Sequence, residues 1–434
     1  MAIQKYKFLK MQLKNLFYRN RLSILLFFTL SGLLACGGQV EEKSEPEEVE
    51  TEAIETDPVE RIHQNVLTLD THLDTPMRLG RDDFNIGERH DPRRGGGKVD
   101  FPRMTEGGLD AAFFVVYVPQ EEITERNMEK AHENALETFD LIHEMVDEHS
   151  DWVGLALSPE DAYNLKEEGR HAAYIGLENG FALAYELSRV QEMYDLGARY
   201  IGLSHTRNNQ FCDSSTDPEG ALHGGLSDFG KEVVGEMNRI GMLIDVSHIS
   251  DDAFWDVLEV SSDPVVATHS NARAVCDHPR NLSDEMIVAL AENGGVIQIT
   301  FLPAYVKTIK QSEEVVQARR EVRQRYNNFQ GLSEEEREEA WEAWSSITDE
   351  YPVILPTVSD FVDHIDYVVE LVGIDHVGIG SDFDGGGVLE DCYDVSEMKN
   401  VTAELLNRGY SDEDIKKIWS GNFMRVFSEV HSEG

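Results

Sequence analysis

The stretch Asp70-Thr71-His72-Leu73-Asp74-Thr75-Pro76 follows a short apolar run, Val66-Leu67-Thr68-Leu69. That run reads as a buried strand. Residues two apart on a strand project to the same side, so His72 and Asp74 offer an imidazole and a carboxylate together. Pro76 and the Gly/Arg-rich stretch behind it end the strand there. A nitrogen donor beside an oxygen donor is half of a metal site, and the pattern recurs. Further apolar runs end in Gly176-Leu177-Glu178, Leu203-Ser204-His205, Asp245-Val246-Ser247-His248, Ala267-Thr268-His269 and Gly380-Ser381-Asp382. The donor set is imidazole and carboxylate without thiolate, which suits catalytic Zn²⁺, with Mn²⁺, Fe²⁺ or Co²⁺ as rivals. Three histidines and two carboxylates exceed what one open catalytic ion takes. They fit two ions about 3.5–4 Å apart that share a carboxylate and a hydroxide, lower the pKa of the shared water and polarise a carbonyl.

Such a set needs a scaffold that brings many strand ends to one place. Eight β-rich runs supply it: Val66–His72, Ala111–Val118, Ala172–Glu178, Tyr200–His205, Leu243–His248, Val265–His269, Val296–Thr300 and Val377–Asp382. Amphipathic helical patterns lie between them at Glu125–His149, Glu186–Leu196, Asp228–Ile240, Ser250–Val260, Asp284–Asn293 and Val358–Val372. Ser227 precedes the third of these as an N-cap and Gly241 closes it. Strands alternating with helices predict parallel pairing and right-handed crossovers. Eight such units predict a (β/α)₈ TIM-type barrel with its chemistry at the C-terminal strand ends. An open doubly wound sheet is the alternative, and no Gly-x-Gly-x-x-Gly follows a strand to favour it. Two regions break the rhythm. Residues 77–106 replace the first helix with a Gly/Arg/Pro-rich loop, and 307–356 form a charged insertion before the eighth strand. The insertion has heptad-like stretches at Val315–Tyr326 and Glu334–Trp344. It predicts a solvated helical hairpin, with a lid or a homodimer contact as the other readings.

Residues 1–35 read as a targeting leader. Six basic residues (Lys5, Lys7, Lys10, Lys14, Arg19 and Arg21) precede an apolar region, Ile24 to Ala35, too short to span a bilayer. Leu33-Leu34-Ala35-Cys36 resembles a bacterial lipobox, in which Cys36 takes the lipid and becomes the new N-terminus. Residues 36–58 then read as an acidic tether, part of a segment with ten acidic residues between positions 37 and 60. The expected setting is the bacterial cell envelope, with a membrane anchor through lipidated Cys36. The chain carries 38 basic and 82 acidic residues, a formal charge of −44. Without the six basic residues of the leader, 32 remain against 82, or −50. A surface of that charge repels nucleic acid, which is excluded as a partner. Cys212, Cys276 and Cys392 cannot all pair and fit no zinc motif, so at most one disulfide is expected.

The strand-end segments resemble those of the membrane (renal) dipeptidase family of dinuclear zinc peptidases. Asp100-Phe101-Pro102-Arg103-Met104, Arg280-Asn281, Phe383-Asp384-Gly385 and Gly421-Asn422-Phe423-Met424-Arg425-Val426-Phe427 carry the likeness too, which spans roughly residues 59–430. It implies two Zn²⁺ ions, one on His72 and Asp74, the other on His248 and His269, with Glu178 bridging. It implies that His205 steadies the oxyanion and that Asp382 handles the proton of a metal-bridging hydroxide. Arg280 and Tyr305 would bind the substrate's terminal carboxylate. The implied activity is hydrolysis of L-Xaa-L/D-Xaa dipeptides. Another amidohydrolase reaction, such as deacylation of N-acyl amino acids, is the rival, and a binding lipoprotein on a decayed scaffold is the non-enzymatic one. Where the family often reads Gly-Gly-His after the bridging glutamate, this chain has Asn179-Gly180-Phe181, and Thr308 stands where a disulfide partner of Cys276 would be.

Overall fold

The apolar runs form strands where the sequence places them, but most stop short of the predicted C-terminal ends. The computed structural model describes residues 57–433 apart from 330, 331 and 352, so the leader, Cys36 and most of the tether lie outside the described residues. The strands are β1 (Leu69–Leu73), β2 (Ala111–Tyr117), β3 (Val153–Leu155), β4 (His171–Glu178), β5 (Ala198–Gly202), β6 (Leu243–Asp245), β7 (Val266–Ala267), β8 (Val296–Ile299) and β9 (Val377–Ile379). They pair in the order β1-β2-β4-β5-β6-β7-β8-β9, all parallel. Backbone bonds from Asp382 N–H to His72 C=O (3.0 Å) and from Asp74 N–H to Phe383 C=O (2.9 Å) close the ring just past β1 and β9. This is the eight-stranded barrel expected.

β3 is the element that the sequence analysis lacks. It pairs with the start of β4, below the point where β5 joins the same edge. Three residues, one of them Gly154, give no alternation to detect. The helix Pro159–Glu167 behind it went unseen for a similar reason: it is two turns long. The region 77–106 is not loop throughout. It holds a helix, Phe101–Gly107, capped by Asp100 through the Arg103 N–H. The predicted helices are otherwise present, at Glu125–Glu148, Ser188–Asp195, Asp228–Ile240, Asp251–Val260, Asp284–Glu292 and Val358–Val372. Ser227 caps the third through the Gly230 N–H, and Gly241 ends it at φ 72°. The insertion is a helical pair, Glu313–Arg325 and Glu334–Glu350, with Trp344 facing Arg319, Arg323 and Phe329.

The short strands have a physical cause. Two buried carboxylates replace ladder hydrogen bonds at the strand ends. Asp70 Oδ1 accepts from the N–H groups of His72 and Ser381, tying β1 to β9. Asp245 Oδ1 accepts from those of Ser247 and Thr268, tying β6 to β7. Beyond these points the backbone turns sharply, with His248 at φ 72° and Asp382 at φ 62°. Side chains of Leu69, Phe113, Tyr174, Tyr200, Leu243, Val266 and Val296 fill the barrel with Phe423 and Phe427 of the C-terminal helix. Each such burial contributes about 1.5–3 kcal/mol. Leu73, by contrast, packs in the outer layer against the helices. Leu69 and Leu73 would share a face on a regular strand, so the register shift between Asp70 and Leu73 is what turns His72 inward.

Cys212, Cys276 and Cys392 are buried and unpaired. Cys276 Sγ lies 3.7 Å from Thr308 Oγ1, so the hydroxyl does stand in the place of a partner thiol. No described helix is long and apolar enough to cross a membrane.

Candidate metal centre

Each candidate ligand sits at or just beyond the C-terminal end of a strand, and the structure gathers them around one carboxylate. Glu178 ends β4. Its Oε1 lies 3.0 Å from His248 Nε2, 3.3 Å from His269 Nε2, 3.7 Å from His72 Nε2 and 3.9 Å from His205 Nε2. His72 Nε2 is also 3.6 Å from Asp74 Oδ2, and His72, Asp74 and Asp382 form one group. His248 Nε2 and His269 Nε2 approach to 2.8 Å. The rings of His72 and His269 stack obliquely with centroids 3.8 Å apart, so the two halves of the cluster abut.

The cluster calls for positive charge. His72 Nε2 and Asp74 Oδ1 are buried atoms with no hydrogen-bond partner among the described residues. Burial works against charge on His72, but Glu178 and Asp74 outweigh it and hold its pKa well above the ordinary value in the metal-free protein. Burial likewise opposes the Glu178 carboxylate, and His205 and His72 hold it well below the usual range. Burial, followed by the charge of Asp74, raises Asp382 well above the usual carboxylate range. His248 and His269 are pushed well down by burial and so present neutral imidazoles. Neutral ring nitrogens and ionised carboxylates aimed at one buried point are the donors a borderline-to-hard divalent cation takes. The residues therefore fit a metal centre.

Arg280 is buried beside this cluster. Its guanidinium donates to His269 C=O (3.0 Å) and Ser270 Oγ (3.2 Å), and its Nε has no partner. No carboxylate lies within 4 Å of it among the described residues, so this buried guanidinium has no acidic partner. Its Cζ stands 5.3 Å from the centre of the Tyr305 ring, which brings the two predicted carboxylate-binding residues together.

The protein family profile described as "Membrane dipeptidase (Peptidase family M19)" matches residues 56–433. The chain belongs to this family. It is a metallo-dipeptidase, and its relatives are named dipeptidases. "Dipeptidase tcpJ" of Claviceps purpurea is 32% identical over 354 residues, covering 80% of this chain and 73% of the relative. "Dipeptidase verJ" of Clonostachys rogersoniana is 33% identical over 339 residues, covering 76% of each. The crystal structure of the probable dipeptidase PvdM from Pseudomonas aeruginosa superposes with a TM-score of 0.75 at 33% identity, over 87% of this chain and 98% of that one.

Four features of this dipeptidase's site were not legible beforehand. Tyr117 ends β2 and meets the His205 ring edge-on, with centroids 5.0 Å apart. As one more apolar ring inside the run Ala111–Val118 it carries no signal. Asp384, at φ 68°, accepts from Arg78 Nε (2.9 Å), Thr75 Oγ1 (2.9 Å) and Lys98 N–H (2.8 Å), tying the loop after β9 to the one after β1. Asn179, at φ 74°, accepts from Asn209 Nδ2 and donates to Val118 C=O, so the departure at 179–181 forms a buried amide wall behind Glu178. Gly385 packs against both acids: a Cβ there would lie 1.9 Å from Asp74 Oδ2 and 2.2 Å from Asp382 Oδ1. Gly385→Ala should therefore displace both carboxylates, with bound metal per chain falling while circular dichroism stays native. A variant that keeps its metal would show that the loop adapts.

Proposed function

We propose that this metallo-dipeptidase holds two Zn²⁺ ions and hydrolyses L-Xaa-L/D-Xaa dipeptides in the bacterial cell envelope, anchored through lipidated Cys36. His72 and Asp74 would hold one ion, His248 and His269 the other, with Glu178 between them. Such ions supply Lewis acidity, acidifying a water and polarising a carbonyl. The protein's own groups do the rest. His205 is the more exposed histidine of the cluster, with 18% of its side chain accessible, and burial lowers its pKa. A neutral imidazole there donates an N–H to the oxyanion of the tetrahedral intermediate. In this reading Asp382 carries the proton of the attacking water to the leaving amine.

The observation that carries this reading is the buried Arg280 without an acid. An unpaired guanidinium in a protein interior costs several kcal/mol unless a ligand completes it. A carboxylate completes it through a planar fork, with the Tyr305 hydroxyl as a further donor. Because the guanidinium is tied to His269 C=O, the carboxylate is fixed at a set distance from the metal ligands. That distance measures one residue, which separates a dipeptidase from a general peptidase. The pocket does not need to close on the C-terminal side chain, which allows a D-residue there.

Three measurements test this. The purified protein should contain two zinc ions per chain and lose dipeptidase activity on chelation, and His269→Ala should retain one ion; two ions in that variant would refute the ligand assignment. Arg280→Ala should lower kcat/KM for dipeptides by about 2–4 kcal/mol, the range for one side of a desolvated charge pair. Dipeptide amides and tripeptides should be poor substrates of the wild type; equal rates for them would end the length-measuring account. Cys36→Ser should abolish labelling by palmitate and release the protein from membranes, and unchanged labelling would exclude the lipobox.

A further inference from the structure

Asp245 and Thr268 belong to two of the strand-end motifs, yet neither faces the cluster. Asp245 is 1% exposed, and its Oδ2 accepts the Thr268 hydroxyl at 2.7 Å. A threonine hydroxyl has one proton. Since Asp245 takes it, Thr268 Oγ1 can only accept at its next contact, His269 Nδ1, 2.9 Å away. That contact places the ring proton on Nδ1 and leaves the lone pair on Nε2, the atom that faces Glu178. Across the barrel the same logic applies to His72. The Tyr200 hydroxyl donates to Thr71 C=O (3.2 Å) and so accepts at His72 Nδ1, 3.1 Å away. With its proton placed on Nδ1 in this way, Nε2 is the nitrogen His72 would offer to a cation, again facing Glu178. Tyr200 reaches this point from β5 because Gly176 on β4 has no side chain: a Cβ there would lie 2.1 Å from the Tyr200 ring.

We propose that Thr268, oriented by Asp245, and Tyr200 are positioning residues for the metal centre, each fixing one imidazole in the tautomer that offers Nε2. The inference rests on the ligand set proposed above. A hydroxyl serving only the fold would need a partner, but not the nitrogen opposite a ligand atom. Here both hydroxyls spend their acceptor capacity on that nitrogen, one for each half of the cluster. Outer partners of this kind typically change metal affinity by about 10–100-fold.

The test uses Thr268→Val, which keeps the shape but not the acceptor, Thr268→Ser, which keeps the acceptor, and Tyr200→Phe, which removes the other hydroxyl. Zinc affinity is read by competition with a chromophoric chelator, and the melting temperature of each metal-free protein is read beside it. The expected result is zinc binding weakened by about 10–100-fold in Thr268→Val and Tyr200→Phe, and restored in Thr268→Ser. A loss below tenfold in both, or Thr268→Ser as weak as Thr268→Val, overturns the proposal, whatever the melting temperatures. Lower metal-free melting temperatures with zinc affinity retained would assign these hydroxyls to the fold alone. Should Thr268→Val not fold, Tyr200→Phe and Thr268→Ser decide by the same criteria. If the wild type binds no zinc, the ligand reading itself has failed, and the inference falls with it.

Discussion

Everything at the mouth of this barrel is arranged around a single carboxylate oxygen. Four imidazoles from the ends of β1, β5, β6 and β7 approach Glu178 Oε1 within 3.9 Å. No single element can do this. A helix face brings together two residues one turn apart, whereas a closed ring of parallel strands points many C-terminal ends at one axis. The barrel must therefore close, and its last seam is made by the site itself, through Asp382 N–H on His72 C=O and Ser381 N–H on Asp70. Convergence has a backbone cost. His248, Asp382, Asp384 and Asn179 all stand at positive φ, a region that Asn, Asp and His tolerate better than most side chains. Each costs of order 1–3 kcal/mol and persists because surrounding hydrogen bonds over-determine it.

The electrostatics divide into two parts that the structure keeps distinct. Glu178 and Asp74 hold the pKa of His72 well above its ordinary value against burial, and Asp382 joins His72 and Asp74 in one donor group. Arg280 stands behind His269, hydrogen-bonded to neutral atoms only. Its charge depresses the pKa of His248 and His269, after burial, and so helps to keep their nitrogens free. The acids suit a cation, and the guanidinium, with no acid beside it, suits an anion.

The sequence showed the barrel because alternating apolar runs and capped helices are local signals, and it showed the members of the cluster because they end those runs. It did not show the bulge that turns His72 inward. Counting by twos from Leu69 would put His72 on the helix side; the irregular register between Asp70 and Leu73 corrects this. Nor did it show Tyr200, whose ring reads as core and whose hydroxyl matters only because Gly176 opens a path across the barrel. Asp70 and Asp245 were visible as letters in motifs, but a carboxylate that accepts N–H groups from two strands has no pattern along one strand. β3 was missed because three residues hold no period. Cysteine count left one disulfide open, and only the buried, unpaired positions of all three thiols answer it.

Arg280 and Tyr305 come from two separate loops. Arg280 follows β7, and Tyr305 lies on the short helix Pro303–Val306 after β8. Asn281 joins them, because its Nδ2 donates to Cys276 C=O at 2.8 Å and to Tyr305 C=O at 2.9 Å. The helix is held from the other side by His364 Nε2 at Val306 C=O (2.8 Å). Lys307, the first residue of the charged insertion, pairs with Asp360 at 2.5 Å. The insertion is thus rooted two residues from the tyrosine that faces Arg280, between fixed points on either side. Asn281 and His364 thus set the position of that helix before the insertion begins.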